Sequence, residues 1–245
     1  MIVRTILAAL LAGMLAGLAV TSVQHWKTTP LIVAAEVYED GGTVDHDHAA
    51  GLPALVSPAA AHTAAHGANE EAAGTTLVAS RLLGTAMANM VLGAGFALVL
   101  AAASLGLGQP VTLRNGALWG LAGFAVVSLA PALGLPPELP AMPAGDLAAR
   151  QLWWALTVGA TAIGLGLAVF AARPALKLAG GVLMILPLFS TAPHPADLAS
   201  PIPPTLAAEF AVASLAVSAL MWVAIGLALG FALERTRRAA VLAPA

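Results

Sequence analysis

No cysteine occurs anywhere in the 245 residues, so a disulfide framework is impossible and thiolate metal sites are excluded. Charge is almost as scarce. Asp, Glu, Lys and Arg make up 9% of the chain against 60% hydrophobic residues, and the mean hydropathy is +0.90. An ordinary soluble domain is about a quarter charged, and a globule this poor in charge could not cover its own surface with polar groups. That excludes a soluble enzyme. Disorder is excluded by the same surplus of apolar surface. With a formal charge of −2, the chain also lacks the basic footprint of a nucleic-acid binder. Neither a G-x-x-x-x-G-K-[ST] sequence nor an H-E-x-x-H helix or Ser-His-Asp grouping is present, so nucleotide-driven pumping and enzymatic chemistry have no residues to carry them, and no catalytic residue is expected. What remains is a chain suited to a bilayer.

A transmembrane helix needs about 20 mainly apolar residues, and six stretches meet or approach that length: about 5–23, 82–107, 116–135, 152–172, 176–192 and 206–233. The fold expected is all-α, a polytopic integral membrane helical bundle of about six transmembrane helices, with five as the alternative count because 176–192 is short, carries Pro187 and could be re-entrant. The whole chain, 1–245, reads as one membrane domain, with a polar loop over 24–80 inserted between the first and second spans. Within that loop the apolar Pro30-Leu31-Ile32-Val33-Ala34-Ala35 run leads into Glu36 and Glu39, and predicts a helical extension or a short element at the interface. Gly13 and Gly17, Gly116 and Gly120, and Gly226 and Gly230 stand four apart, a spacing that lets two helix backbones approach closely. Pro131 and Pro187 are expected to bend their helices or free a carbonyl.

Six spans put both termini on one side. There lie Arg4, Arg114, Arg173, Lys177, Arg235, Arg237 and Arg238, against Lys27, Arg81 and Arg150 on the other side. Seven basic residues against three make the terminal side cytoplasmic. The acids split the opposite way: Glu36, Glu39, Asp40, Asp45, Asp47, Glu70, Glu71, Glu138, Asp146, Asp197 and Glu209 fall outside, and Glu234 alone inside. The first apolar run is longer than that of a usual signal peptide and lacks a clean A-x-A site, which favours a retained span. Its removal would leave every other loop on the same side.

All six histidines, His25, His46, His48, His62, His66 and His194, fall on the external side of this topology. His46-Asp47-His48 alternates imidazole with carboxylate, His62 and His66 are one helical turn apart, and His194 sits in a Pro-His-Pro turn. Imidazole with carboxylate suits Co²⁺, Ni²⁺, Zn²⁺ and Cu²⁺. A short histidine tract in a polar loop can equally be solvated filler, but the one-sided gathering of acids around it favours metal capture. His25, beside Trp26, reads as an interfacial anchor, as do Trp153 and Trp154. External carboxylates concentrate divalent cations, and moving such an ion toward a negative interior gains about 4.6 kcal/mol at 100 mV. Capture outside and a favourable potential together point to uptake. Within the spans, Asn89 needs hydrogen-bond partners, and Glu209 is either part of a pathway or paired with Arg81.

The chain resembles the CbtA family of probable cobalt transporter subunits. The residues that carry the resemblance are Pro30-Leu31-Ile32 and Ala35-Glu36-Val37-Tyr38-Glu39, followed by a His-bearing loop. Further along come Leu133-Gly134-Leu135-Pro136-Pro137-Glu138-Leu139-Pro140, Asp146-Leu147, Arg150-Gln151-Leu152-Trp153-Trp154 and the Pro193-His194-Pro195 turn. The resemblance implies an integral membrane protein of about five spans that takes up cobalt, in association with cobalamin biosynthesis. It also implies a small single-span partner, CbtB. The sequence therefore reads as a multi-pass subunit of a cobalt uptake transporter in a bacterial inner membrane, with the ion as cargo, Ni²⁺ as the competing cargo and no tightly bound cofactor. The expected metal-handling residues are His46, Asp47, His48, His62, His66, His194, Glu36, Glu39, Glu138 and Glu209. The alternative is an accessory or sensor membrane protein that binds metal without conducting it.

Overall fold

A computed structural model describes residues 2–39 and 70–242, and every regular element among them is helical. The elements are α1 (Ile2–Lys27), α2 (Thr29–Glu39), α3 (Glu70–Gly106), α4 (Gly116–Ala132), α5 (Leu147–Phe170), α6 (Pro174–Phe189) and α7 (Pro204–Leu242). Four of them, α1, α3, α5 and α7, are long and apolar enough to cross a membrane. The remaining two expected spans, α4 and α6, are apolar helices of no more than 17 residues. They reach about 25 Å at 1.5 Å per residue, short of the roughly 30 Å hydrocarbon core.

Burial in α1 runs opposite to a soluble helix. Ala9, Ala12, Ala16 and Val20 are buried, while Leu7, Leu11, Leu15 and Leu18 are exposed. Lipid is as apolar as leucine, so burying large side chains gains little. Close backbone packing decides instead. A Cβ added at Gly13 would collide with the Gly93 backbone, one at Gly226 with the Gly116 carbonyl, and one at Gly164 with the Gly180 carbonyl. Three antiparallel pairs result, α1 with α3, α4 with α7 and α5 with α6. The expected packing role of Gly13, Gly17, Gly116, Gly120, Gly226 and Gly230 is thereby met; Gly164 and Gly180 add a third contact of the same kind. At the centre Trp222 of α7 is fully buried, stacked on Phe96 of α3 at 4.4 Å between ring centroids and seated against Gly123.

Both prolines act as expected. Pro131 has no N–H to offer the preceding turn, and Ala125–Leu129 widens into a π-turn in which the Ala130 N–H reaches back to the Ala125 carbonyl. Pro187 lies in a 3₁₀ turn, Leu186–Phe189, that ends α6. At the end of α3 the Gln109 N–H bonds the Ser104 carbonyl at 3.1 Å and Gly108 takes φ +63°, a conformation that glycine adopts without strain at a helix C-terminus.

The expected element after the first span is α2. Thr28 breaks it from α1, accepting at its carbonyl from the Leu31 and Ile32 N–H groups, and Pro30 falls in the first turn where a missing N–H costs nothing. Ala35 of α2 packs with Leu139 and Ile202 of two loops and Phe210 of α7, so α2 rests against the start of α7. At the opposite end the loop between α3 and α4 is tied to α7: the Leu113 N–H donates to Glu234 Oε1 at 2.9 Å and Arg237 donates to the Val111 carbonyl at 3.1 Å.

If backbone contact at glycine holds the pairs together, Gly226→Leu lowers the thermal midpoint in detergent by the equivalent of the upper end of about 1–3 kcal/mol. Gly95→Leu, with open space around its Cβ, leaves the midpoint unchanged or raises it. Equal effects of the two would contradict this account of the packing.

Candidate functional site

Antiparallel pairing gathers most of the ionisable side chains named from the sequence at the α2 end of the bundle. Glu36 accepts two bonds from Arg81, at 2.9 Å from Nη1 and 3.0 Å from Nη2. The alternative of Arg81 pairing with Glu209 is therefore corrected. α1 runs against α3, which brings α2 to the start of α3, whereas Glu209 stands exposed on α7. Glu39 is exposed as well, at the end of α2.

Glu138 and Arg150 meet at 2.6 Å, each side chain only 24% exposed. They sit at the rim of a cleft of about 550 Å³ between α4, α5 and α7, which Ser128, Gln151, Ser214 and Ser218 also line. Ser128, on the π-turn, accepts from Ser218 Oγ at 2.9 Å and from Trp222 Nε1 at 3.2 Å. Asp146 caps α5 by accepting the Ala149 N–H at 2.8 Å, a use of its carboxylate that stabilises the helix start. Asp197 likewise accepts the Ala199 N–H at 2.8 Å.

His194 is exposed. Its Pro-His-Pro turn rests on Gly145, where a Cβ would stand 2.8 Å from the Pro193 carbonyl oxygen. His194 lines a second cavity of about 570 Å³ together with Gly134, Trp153, Pro187 and Ser190. Trp153 is more than an interfacial anchor: it is half-buried, fills the space beside Gly134 and donates from Nε1 to Ser190 Oγ at 3.1 Å. Trp154 is 43% exposed, as an anchor would be. Asn89 has the partners its burial demands, donating to Thr21 Oγ1 at 3.0 Å and Gln24 Oε1 at 2.6 Å.

A family model described as "Probable cobalt transporter subunit (CbtA)" matches residues 2–234. The chain belongs to the CbtA family. The match spans every group described above, from Thr21 to Trp222, and makes this bundle a membrane-embedded transporter subunit. No curated protein and no solved structure matches the chain.

For a cobalt transporter subunit the ligand geometry is informative. Among the described residues, no three His, Asp or Glu side chains stand close enough to hold one metal ion together. Glu36 and Glu138 are engaged by arginines, while Glu39, His194 and Glu209 are exposed at separate places around the same end. His46, Asp47, His48, His62 and His66 lie outside the described residues. Sequence reasoning missed Ser128, Ser218 and Trp222, which meet across some 90 positions of chain, and nothing local to either segment signals that meeting. It also missed Thr157 and Thr161, whose i, i+4 spacing inside an apolar span was a usable signal.

The two ion pairs differ in burial, and a double-mutant cycle in detergent should separate them. Glu138→Gln with Arg150→Gln is expected to give a coupling energy of about 1–2 kcal/mol, since each charge left alone is largely desolvated. Glu36→Gln with Arg81→Gln gives less than about 1 kcal/mol. A larger coupling at the exposed pair would reverse this assignment.

Proposed function

We propose that the chain is the membrane subunit of a cobalt uptake system, collecting divalent cations at the outer face and passing them inward with a small single-span partner. One observation supports the direction. The bundle has an acidic end, with Glu36, Glu39, Glu138, Asp146, Asp197 and Glu209, and a basic end, with Arg4, Arg114, Arg173, Lys177, Arg235, Arg237 and Arg238. Basic residues prefer the cytoplasmic side, so the acidic end with His194 would face outward in an inner membrane, both termini would be cytoplasmic, and the segment with His46 to His66 would hang outside.

A negative vestibule raises the local concentration of divalent cations, and the membrane potential favours their entry. The histidines of the 24–80 loop would add ligands that Co²⁺ and Ni²⁺ both accept; discrimination between the two ions then falls to coordination geometry, because intrinsic affinity follows the Irving–Williams order. The second reading is an accessory or sensor membrane protein that binds metal without conducting it. Influx into liposomes that contain the chain, with and without its partner, separates that reading from transport.

The absence of native cysteine makes sidedness directly measurable. Ala64→Cys should react with a membrane-impermeant maleimide added to intact cells, and Ala239→Cys only after the cells are opened; the reverse pattern would overturn uptake by external capture. Replacing His46, His48, His62 and His66 with Ala should lower Co²⁺ accumulation at scarce external metal and leave it unchanged at abundant metal. Unchanged accumulation at every concentration would remove those histidines from the mechanism.

A further inference from the structure

The seven described helices are not evenly packed. α1 lies against α3 and α7, α4 against α7, and α2 joins α1 to the start of α7, so these five lock one another into a single body. α5 and α6 stand to one side of it. Gly164 and Gly180 hold the two backbone to backbone, and Trp153 bonds Ser190 at their other end, which makes the hairpin stiff within itself. Of the other described helices, only α4 comes within packing distance of the hairpin, and it does so over Ala125–Ala132, the π-turn and the proline turn that follows.

A cleft lies on each side of that contact. At the acidic end, the cleft of about 550 Å³ runs between Leu147, Gln151 and Trp154 of α5 and Ser214 and Ser218 of α7. Toward the basic end, a second cleft of about 530 Å³ runs between Leu165, Val169 and Phe170 of α5 and Leu100 and Ala103 of α3. Val127 of the π-turn borders both. Among the described residues, one hydrogen bond ties the hairpin to the body: Arg150, in the first turn of α5, donates to Glu138 Oε2 at 2.6 Å. Glu138 belongs to the body, because its neighbour Leu139 is buried with Ala35 of α2 and Phe210 of α7. Between Glu138 and Arg150 the chain passes through Ala141, whose φ of +62° is a backbone state that residues with a Cβ seldom adopt.

We propose that the α5–α6 hairpin moves as one rigid unit, rocking on the π-turn of α4, with Glu138 and Arg150 as the latch that holds its acidic end against the body. A stiff unit supported between two clefts narrows one as it widens the other. α5 has 24 residues and is about 36 Å long, so a rotation of about 15° about its middle, the size of known subunit rotations, carries each end about 5 Å. The π-turn suits a pivot, because Ser218 and Trp222 of α7 both donate to its Ser128 and so fix it to the body. Lipid can take the place of protein against the apolar faces that separate, since hydrocarbon solvates them equally well. The proposal goes beyond the transport reading, to which it adds a moving part.

The test is pairwise spin-label distance measurement on the full chain in lipid nanodiscs, for which the lack of native cysteine leaves a clean background. Leu147→Cys with Leu215→Cys spans the cleft at the acidic end, and Leu118→Cys with Val169→Cys spans the other. Leu156→Cys with Leu178→Cys reports within the hairpin. Releasing the latch by Glu138→Gln or by Arg150→Gln should lengthen the first distance and shorten the second by about 5 Å, and leave the third as it was. The charge swap Glu138→Arg with Arg150→Glu rebuilds the pair and should return the wild-type distances. Distances that stay fixed in both latch variants, or that grow at both ends together, would overturn the pivot. A change in the third distance would overturn the rigid hairpin. Should the swap keep the shifted distances, or should both single variants vanish from the membrane while the swap persists, the pair is not a latch. These distances do not depend on transport: if they behave as expected in a chain that gives cells no Co²⁺ influx, the transport reading falls and the pivot stands.

Discussion

Everything else in this bundle depends on how closely helix backbones approach at glycine. In water, burial of leucine and phenylalanine would hold helices together. In lipid those side chains lose nothing by facing outward, and dispersion between close-packed backbones takes over. Gly13 on Gly93, Gly116 on Gly226 and Gly164 on Gly180 are three instances of that one contact. Each sets an antiparallel pair, and each pair fixes which loop ends meet. The large exposed side chains of α1, such as Leu11 and Leu15, follow from the same rule, since only the small residues are needed inside.

Once the pairs are set, electrostatics at the helix ends has little freedom. Pairing α1 with α3 carries α2 to Arg81, so Glu36 is the acid within reach. Glu138 and Arg150 are brought together by the Pro-rich connection between α4 and α5, and theirs is the less exposed of the two pairs. At the other end Glu234 and Arg237 of α7 hold the α3–α4 loop in place. The two ends of the molecule thus differ in chemistry as well as in charge: one carries α2 and two clefts, the other is tied down.

Both helix irregularities, the π-turn of α4 and the 3₁₀ turn of α6, occur on the two shorter apolar helices. Proline explains each locally, yet their consequence is tertiary. The π-turn presents Ser128 to Ser218 and Trp222, and the 3₁₀ turn presents Pro187 and Ser190 to Trp153. Irregular backbone is tolerated at membrane depth where it is buried in protein or lines a cavity, and here Ser128 lies on the cleft beside α4 and Pro187 on the cavity beside α6.

Much of this was legible in the sequence, because it follows from local chemistry. Apolar run length gave six helices, α1, α3, α4, α5, α6 and α7. The Pro30 to Glu39 stretch announced α2, Pro131 and Pro187 announced irregular turns, and the glycine spacing announced close packing. Charge segregation was equally plain, since it depends only on which loop a residue occupies. Other features were fixed only when the chain folded: that Glu36 rather than Glu209 meets Arg81, that Trp222 lies at the centre while Trp154 faces out, and that Thr157 and Thr161 are buried. The physical reason is rotation about the helix axis. Composition and run length are the same whichever face of a helix turns inward, and only the contacts between helices choose that face.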